Sequence, residues 1–304
     1  MKVAEALAQA RAVIPAAEAR LLLRHVLDCS ATAIAAHPER VMDESQSSRY
    51  AVLVARRAAG EPIAYLVGSR EFYGRDFHVT PAVLIPRPET ELLVEVALAK
   101  VPPSASNELG FADRGKADYH RPVVSRGVTG GNPRGSTPSM LDLGAGSGCV
   151  AITLALELGG KVTAVDVSPD ALTVARENAA RLNAKVTFIE SDWYSAVDGK
   201  FDLIVGNPPY VAEGDVHLGE GDLRFEPALA LACGADGLSA IRRIVAEAPR
   251  HLLPGGWLFL EHGYDQAEAV RALLEQAGFG PIEQHRDLAG IVRISGGVLT
   301  PGST

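Results

Sequence analysis

The sequence predicts an α/β protein: a doubly wound, mainly parallel sheet preceded by a small N-terminal helical domain. Three observations carry this expectation. From Met140 onward, short apolar runs alternate with amphipathic segments, the order expected of strands covered by helices. A glycine-rich turn, Gly144-Ala145-Gly146-Ser147-Gly148, joins the first of those runs to the first of those segments. Residues 1–74, by contrast, space their apolar positions as amphipathic helices do. The length of 304 residues suits about two domains.

The elements follow in order. Leu7, Ala10, Val13-Ile14, Leu21-Leu22-Leu23 and Val26 fall at helical intervals, with Pro15 opening a new first turn. Pro38 marks a further boundary, and Ser47 to Ala59 reads as a helix ended by Gly60-Glu61-Pro62. Residues 1–74 are therefore expected to form a helical domain, read either as a bundle that serves packing alone or as a substrate-recognition module for a partner. Phe77-His78-Val79 and Val83-Leu84-Ile85, separated by Pro81, suggest a β-hairpin linker over 75–90. Thr90 is placed to cap a helix running from Leu92 to Leu98, with acids in its first turn. The second domain is then 91–304. Within it, 104–139 holds six Gly, three Pro and five Ser with few large aliphatics, and is expected to be a flexible insertion. Strands are predicted at Met140–Leu143, Val162–Val165, Val186–Ile189, Phe201–Val205, Trp257–Leu260 and Ile291–Ile294. Helices are predicted between them, at Pro169–Leu182, Leu238–Ala248 and Gln266–Ala277 among others.

Composition excludes several classes of function. Hydrophobic residues make up 47% and charged residues 22%, enough apolar material for real cores. A net charge of −8 argues against a protein that binds nucleic acid by neutralising phosphates. No apolar run reaches the roughly 18 residues of a membrane span, and the N-terminus lacks a basic start followed by an apolar core. Cys29, Cys149 and Cys233 are far apart and form no Cys-x-x-Cys pair, as in a reducing compartment. The histidines His25, His37, His78, His217, His251 and His262 are scattered and point to no metal, although His262 beside Glu261 at a strand end is close enough to approach a site. The expectation is a cytoplasmic, monomeric protein without a metal.

The glycine turn lets the backbone pass close to a ligand without a Cβ clash. Alone it also fits dinucleotide enzymes, but their pattern wants a glycine where Cys149 stands, and a P-loop wants Gly-Lys-Ser/Thr, which is absent. Asp166 closes the next strand, placed to accept hydrogen bonds from ribose hydroxyls. Asp192-Trp193 ends the third, where a carboxylate meets an adenine amino group and an indole covers its face. Together they describe an adenosyl ligand without a pyrophosphate, S-adenosylmethionine, with NAD as the weaker alternative.

The most informative stretch is Phe201-Asp202-Leu203-Ile204-Val205-Gly206-Asn207-Pro208-Pro209-Tyr210. An apolar strand ends in a turn whose two prolines lack N–H donors and leave carbonyls free. The Asn207 side-chain oxygen and the Pro208 carbonyl can each take one hydrogen of a planar NH2 group, and Tyr210 offers a flat surface beside it. Such nitrogens are poor nucleophiles because their lone pair is delocalised. Holding both hydrogens orients the nitrogen and stabilises the charge it acquires, with no strong base required. No catalytic triad or paired carboxylates suggest hydrolysis.

These residues resemble the HemK/PrmC family, the release factor protein-(glutamine-N5) methyltransferases. The resemblance extends to Glu61-Pro62-Ile63-Ala64-Tyr65-Leu66-Val67-Gly68, Pro86-Arg87-Pro88-Glu89-Thr90-Glu91, Leu223-Arg224-Phe225-Glu226-Pro227 and Glu261-His262-Gly263. It implies a class I S-adenosylmethionine-dependent methyltransferase fold and methylation of the glutamine in the Gly-Gly-Gln motif of class-1 peptide chain release factors. By the same resemblance, Gly144, Ala145, Gly146, Ser147, Gly148, Asp166, Trp193 and Asn207 line the cofactor. Asn207, Pro208, Pro209 and Tyr210 hold the substrate amide, with Asn207, Pro208 and Tyr210 carrying catalysis. Glutamine methylation of a ribosomal protein, and adenine-N6 methylation of nucleic acid, are the alternatives; an adenosyl-binding scaffold would not need Asn207 and Tyr210 together.

Overall fold

The computed structural model describes residues 1–101 and 137–300, so all but the last three residues of the predicted 104–139 insertion lie outside the described residues. Five helices come first: α1 (Val3–Ala10), α2 (Ala16–Leu27), α3 (Ala31–Ala36), α4 (Glu44–Ala58) and α5 (Ile63–Val67). Pro15 occupies the cap position of α2, and Asp43 with Gln46 forms a reciprocal capping box at the start of α4. Leu22, Leu23, Ile34 and Tyr50 fill a small core of their own, where the Tyr50 hydroxyl donates to the Ala19 carbonyl at 3.0 Å.

A two-stranded hairpin follows, β1 (Ser69–Phe72) and β2 (Arg75–His78). The expected hairpin within 75–90 is thus displaced towards the N-terminus. Tyr73 and Gly74 both have positive φ, at 52° and 73°, the geometry of a two-residue turn that matches strand twist. The run Val83–Ile85 forms no strand: the flanking Pro81, Pro86 and Pro88 have no N–H with which to extend a ladder, and the Val83 and Ile85 N–H groups go to Thr80 and Glu226. It is held by side chains instead: the Tyr65 hydroxyl donates to the Val83 carbonyl at 2.7 Å, and Glu226 accepts the Ile85 N–H at 3.0 Å while pairing with Arg87.

Helix α6 (Thr90–Lys100) corrects a second expectation. Its cap is Glu89, and the Thr90 hydroxyl bonds to no backbone N–H but donates to the Glu261 carboxylate. The sheet then assembles from β3 (Ser139–Leu143), β4 (Lys161–Asp166), β5 (Val186–Glu190), β6 (Phe201–Gly206), β7 (Leu252–Glu261), β8 (Phe279–Arg286) and β9 (Val292–Leu299). Between them lie α7 (Cys149–Leu158), α8 (Pro169–Arg181), the short α9 (Ala228–Leu231), α10 (Ser239–His251) and α11 (Ala267–Gln276). The strand order is β5-β4-β3-β6-β7-β9-β8, with β9 antiparallel to both neighbours and the rest parallel. Strand β8 was not expected from the sequence. It is an edge strand, and its Glu283-Gln284-His285-Arg286 run carries no apolar alternation to announce it.

The sheet is covered on both faces. Leu93 and Val94 of α6, Ile152 and Leu154 of α7 and Leu172 of α8 form one core; Ile241 and Ile244 of α10 and Val270 and Leu274 of α11 form the other. Each such fully buried side chain contributes roughly 1.5–3 kcal/mol relative to exposure. The helical bundle is tied to the sheet domain by Arg57, which donates to Glu18 at 2.7 Å and to Asp222 at 2.9 Å. Arg224 adds a bond to the Ala59 carbonyl at 2.6 Å.

Candidate active site

Strands β3 and β6 are neighbours, Leu143 paired with Gly206, and β4 lies on the far side of β3. The chain order therefore reverses between β3 and β6, the place where open α/β sheets hold ligands at their carboxyl ends. The glycine turn leaves β3 there and Asn207 leaves β6. Both border one cavity of about 550 Å³.

The predicted residues distribute around it as follows. Gly144, Ala145, Gly146 and Ser147 line the cavity, as do Asp166, Trp193, Asn207 and Pro209. Gly144 has φ +81°, and a Cβ there would stand 3.7 Å from the Trp193 ring, so the turn and the indole face each other closely. Trp193 is itself in the left-handed region at φ 52°, an uncommon conformation for a bulky residue that aims the indole at the loop. Gly148 is set back from the lining: its own Cβ would come within 2.9 Å of Ile152 and 3.2 Å of Ala175, so it permits α7 and α8 to close together. Pro208 is buried and lines neither this cavity nor its neighbour. Asp192 lines the cavity with its carboxylate bound to Arg243 at 2.7 Å.

Asp166 does two jobs at once. Its carboxylate accepts the Gly146 N–H at 2.8 Å and the Ser168 N–H at 2.9 Å, which locks the glycine turn to the next strand. Burial raises its pKa, opposed by these backbone N–H groups.

Tyr210 faces a second, smaller cavity of about 210 Å³, lined by Arg87, Glu89, Tyr210, Glu261 and Arg293. Arg87 is common to both cavities. The Tyr210 hydroxyl donates to Glu261 at 3.3 Å, and burial beside that carboxyl raises its pKa and keeps it protonated. His262, expected to be able to approach the site, is fully buried and turned away: its ring nitrogens meet the Ser295 hydroxyl at 2.8 Å and the Gly263 carbonyl at 2.9 Å.

Sequence reasoning missed two acids, Asp142 and Glu261. Asp142 lies on β3 two residues before the glycine turn, lines the larger cavity and accepts the Ala151 N–H at 3.1 Å. Glu261 closes β7 and accepts from Thr90 at 2.7 Å and from Tyr210 at 3.3 Å. Both carboxyls are pushed up to about 7, by burial first. The available signal was an acid inside or ending an apolar strand, as in Met140-Leu141-Asp142-Leu143 and Leu258-Phe259-Leu260-Glu261, which is rare without a purpose.

These shifts have a consequence for stability. The folded state holds both protons more tightly than the unfolded chain, so stability is greatest below the ordinary carboxyl range and falls as pH rises towards 7. Glu261→Gln is expected to remove its share of that slope, on the order of 2–3 kcal/mol between pH 4.5 and 7. Urea unfolding across that range checks it; an unchanged slope in the variant would show that Glu261 titrates normally in the fold.

Among the described residues no group of three or more His, Cys, Asp or Glu is placed to hold a metal, and no helix is long and apolar enough to cross a membrane. Residues 1–68 match the PrmC N-terminal domain and residues 133–222 the methyltransferase small domain. The chain is 47% identical over 289 residues to the release factor glutamine methyltransferase of Bordetella pertussis, covering 94% of this chain and 96% of that protein. The chain belongs to the release factor glutamine methyltransferase family. A second member, from Burkholderia pseudomallei, is 48% identical over 298 residues, 95% of this chain and 93% of that protein. Among solved structures, a methyltransferase from Pyrococcus furiosus has the same fold at 18% identity and a TM-score of 0.51, covering 81% of this chain and 98% of that one. The sheet is that of class I methyltransferases, and the family match accounts for both the helical bundle and the glycine turn.

Proposed function

We propose that the protein transfers a methyl group from S-adenosylmethionine to the side-chain amide N5 of the glutamine in the Gly-Gly-Gln motif of class-1 peptide chain release factors. The observation that carries this reading is the shared wall: Asn207 and Pro209, from the amide-holding turn, border the same cavity as the glycine turn. Family membership at 47–48% identity over nearly the whole chain supports the substrate.

The residues present fit the cofactor. Among the described residues, the cations lining the larger cavity are Arg87 and Arg243, and each is paired with a carboxylate, Glu226 or Asp192. A pyrophosphate would meet no unpaired side-chain cation there, which disfavours NAD. A compact cationic ligand suits the wall formed by Asp142 and Asp166. Gly144–Gly148, Asp166, Trp193 and Asn207 would hold it, Asp166 at the ribose and Trp193 over the base, with Gly148 contributing by keeping α7 and α8 close. When bound, S-adenosylmethionine supplies an electrophilic methyl group on a sulfonium.

The chain's own part is positioning. The Asn207 side-chain oxygen accepts one hydrogen of the glutamine amide; Pro208 lines neither cavity itself but sits between Asn207 and Pro209, which border the larger one, and its carbonyl accepts the second hydrogen, with Pro209 and Tyr210 bounding the approach. Two acceptors directed at those hydrogens become more favourable as the nitrogen acquires positive charge, so they stabilise the transition state more than the ground state. The N-terminal domain, 1–74, grips the release factor, and the protein acts as a monomer without binding nucleic acid, in line with its charge of −8.

Mass spectrometry of release factor and ribosomal proteins incubated with the cofactor tests the substrate. One methyl on the Gly-Gly-Gln glutamine is expected. A methyl on a ribosomal protein with none on the release factor would overturn the proposal.

A further inference from the structure

Behind Asn207 runs a hydrogen-bond chain whose members lie far apart in sequence. The Asn207 Nδ2 group donates to the Thr90 hydroxyl at 3.1 Å, and the Thr90 hydroxyl donates to the Glu261 carboxylate at 2.7 Å. Thr90 and Glu261 are 3% and 1% exposed; Thr90 borders the larger cavity and Glu261 the smaller, so the chain runs between the two behind Asn207. We propose that Thr90 and Glu261 are positioning residues that fix which face of the Asn207 carboxamide meets the substrate.

The polarity of the chain follows from donor counts. A hydroxyl has one hydrogen, and with Glu261 ionised, above its raised pKa of about 7, both of its oxygens accept, one from Thr90 and one from Tyr210. With its hydrogen committed to Glu261, Thr90 can only accept from Asn207, so the Asn207 NH2 must turn towards Thr90. The carboxamide is planar, and its oxygen is thereby directed the other way. The Tyr210 hydroxyl occupies the second Glu261 oxygen at 3.3 Å, which leaves the carboxylate anchored at both ends. Without this chain the carboxamide can flip and present NH2 to the substrate's own NH2, donor against donor. The inference rests on the reading of Asn207 as the holder of a substrate amide, and it extends that role to a threonine 117 residues away and a glutamate beyond it.

Thr90→Val removes the hydroxyl with little change of shape, and Thr90→Ser keeps it. For T90V, kcat for methyl transfer is expected to fall about 10- to 100-fold, as when a buried polar partner is lost, while cofactor binding stays near the wild-type value. T90S is expected to restore most of the turnover. A second readout needs neither substrate nor cofactor. The chain has five asparagines, few enough for the side-chain amides to be resolved by selective 15N labelling. One Asn207 Nδ2 proton should exchange slowly with water in the wild type and in T90S, and quickly in T90V. Fast exchange of both protons in the wild type would overturn the inference without any variant. So would a T90V enzyme that keeps wild-type kcat, or one that loses cofactor binding in step with turnover. If the wild type methylates no release factor, the proposed function fails, and the exchange measurement still reports on the chain.

Discussion

Asn207→Ala is expected to lower methyl transfer to a release factor by on the order of 10²–10³, the scale seen when one preorganised transition-state hydrogen bond is removed. The effect should appear in kcat more than in cofactor affinity. Asn207 is only one of the residues bordering the larger cavity, whereas Gly144–Ser147, Asp166 and Trp193 remain in place. Its side chain is half-buried at the mouth of β6, outside both hydrophobic cores, so the variant should fold. Single-turnover rates with saturating cofactor, together with calorimetric cofactor binding, separate the two contributions. A variant with full activity would sink the amide-holding mechanism. One whose only defect is cofactor affinity would reassign Asn207 to cofactor binding alone.

Gly237→Ala should be nearly as damaging, although Gly237 touches no reacting group. It has φ +70°, and a Cβ there would lie 2.1 Å from the Tyr210 carbonyl oxygen and 2.9 Å from Gln266 Nε2. The Gln266 side chain donates to that same carbonyl at 2.9 Å and to the Asp236 carbonyl at 3.3 Å. An added methyl group therefore drives a wedge into the bond that fixes the backbone of the Asn-Pro-Pro-Tyr turn. Left-handed strain and the displaced hydrogen bond together cost about 2–4 kcal/mol. Moving Tyr210 by about an ångström should also reduce turnover roughly 10²-fold. Thermal unfolding and kcat measured on the same preparation check both parts. A variant with the wild-type midpoint and wild-type turnover would show that the turn accommodates the methyl group freely.

Much of the site was legible because its signals are local. The glycine turn needs positive φ at Gly144, Gly146 and Gly148, and such positions announce themselves in a sequence. Asn-Pro-Pro-Tyr ends a strand by the covalent chemistry of proline, whatever surrounds it. Errors clustered where neighbours distant in the chain decide. Thr90 had the form of a helix cap, yet its hydroxyl is claimed by Glu261, 171 residues away. The hairpin moved to 69–78 because the pairing of Ser69 with His78 and Phe72 with Arg75 outweighs the apolar run at Val83–Ile85. Strand β8 escaped notice because an edge strand half in water needs little alternation.

The sequence by itself determined the doubly wound sheet and the helical bundle, since hydrophobic period and turn chemistry are properties of short stretches. It also determined the family and the two motifs that meet at the cavity. Only the tertiary structure decided what stands behind them. Asp142 and Glu261 become unusual acids through burial, and burial depends on which strands lie side by side. Which way Asn207 presents its carboxamide is set by a hydroxyl and a carboxylate from two other elements, a choice no local pattern encodes.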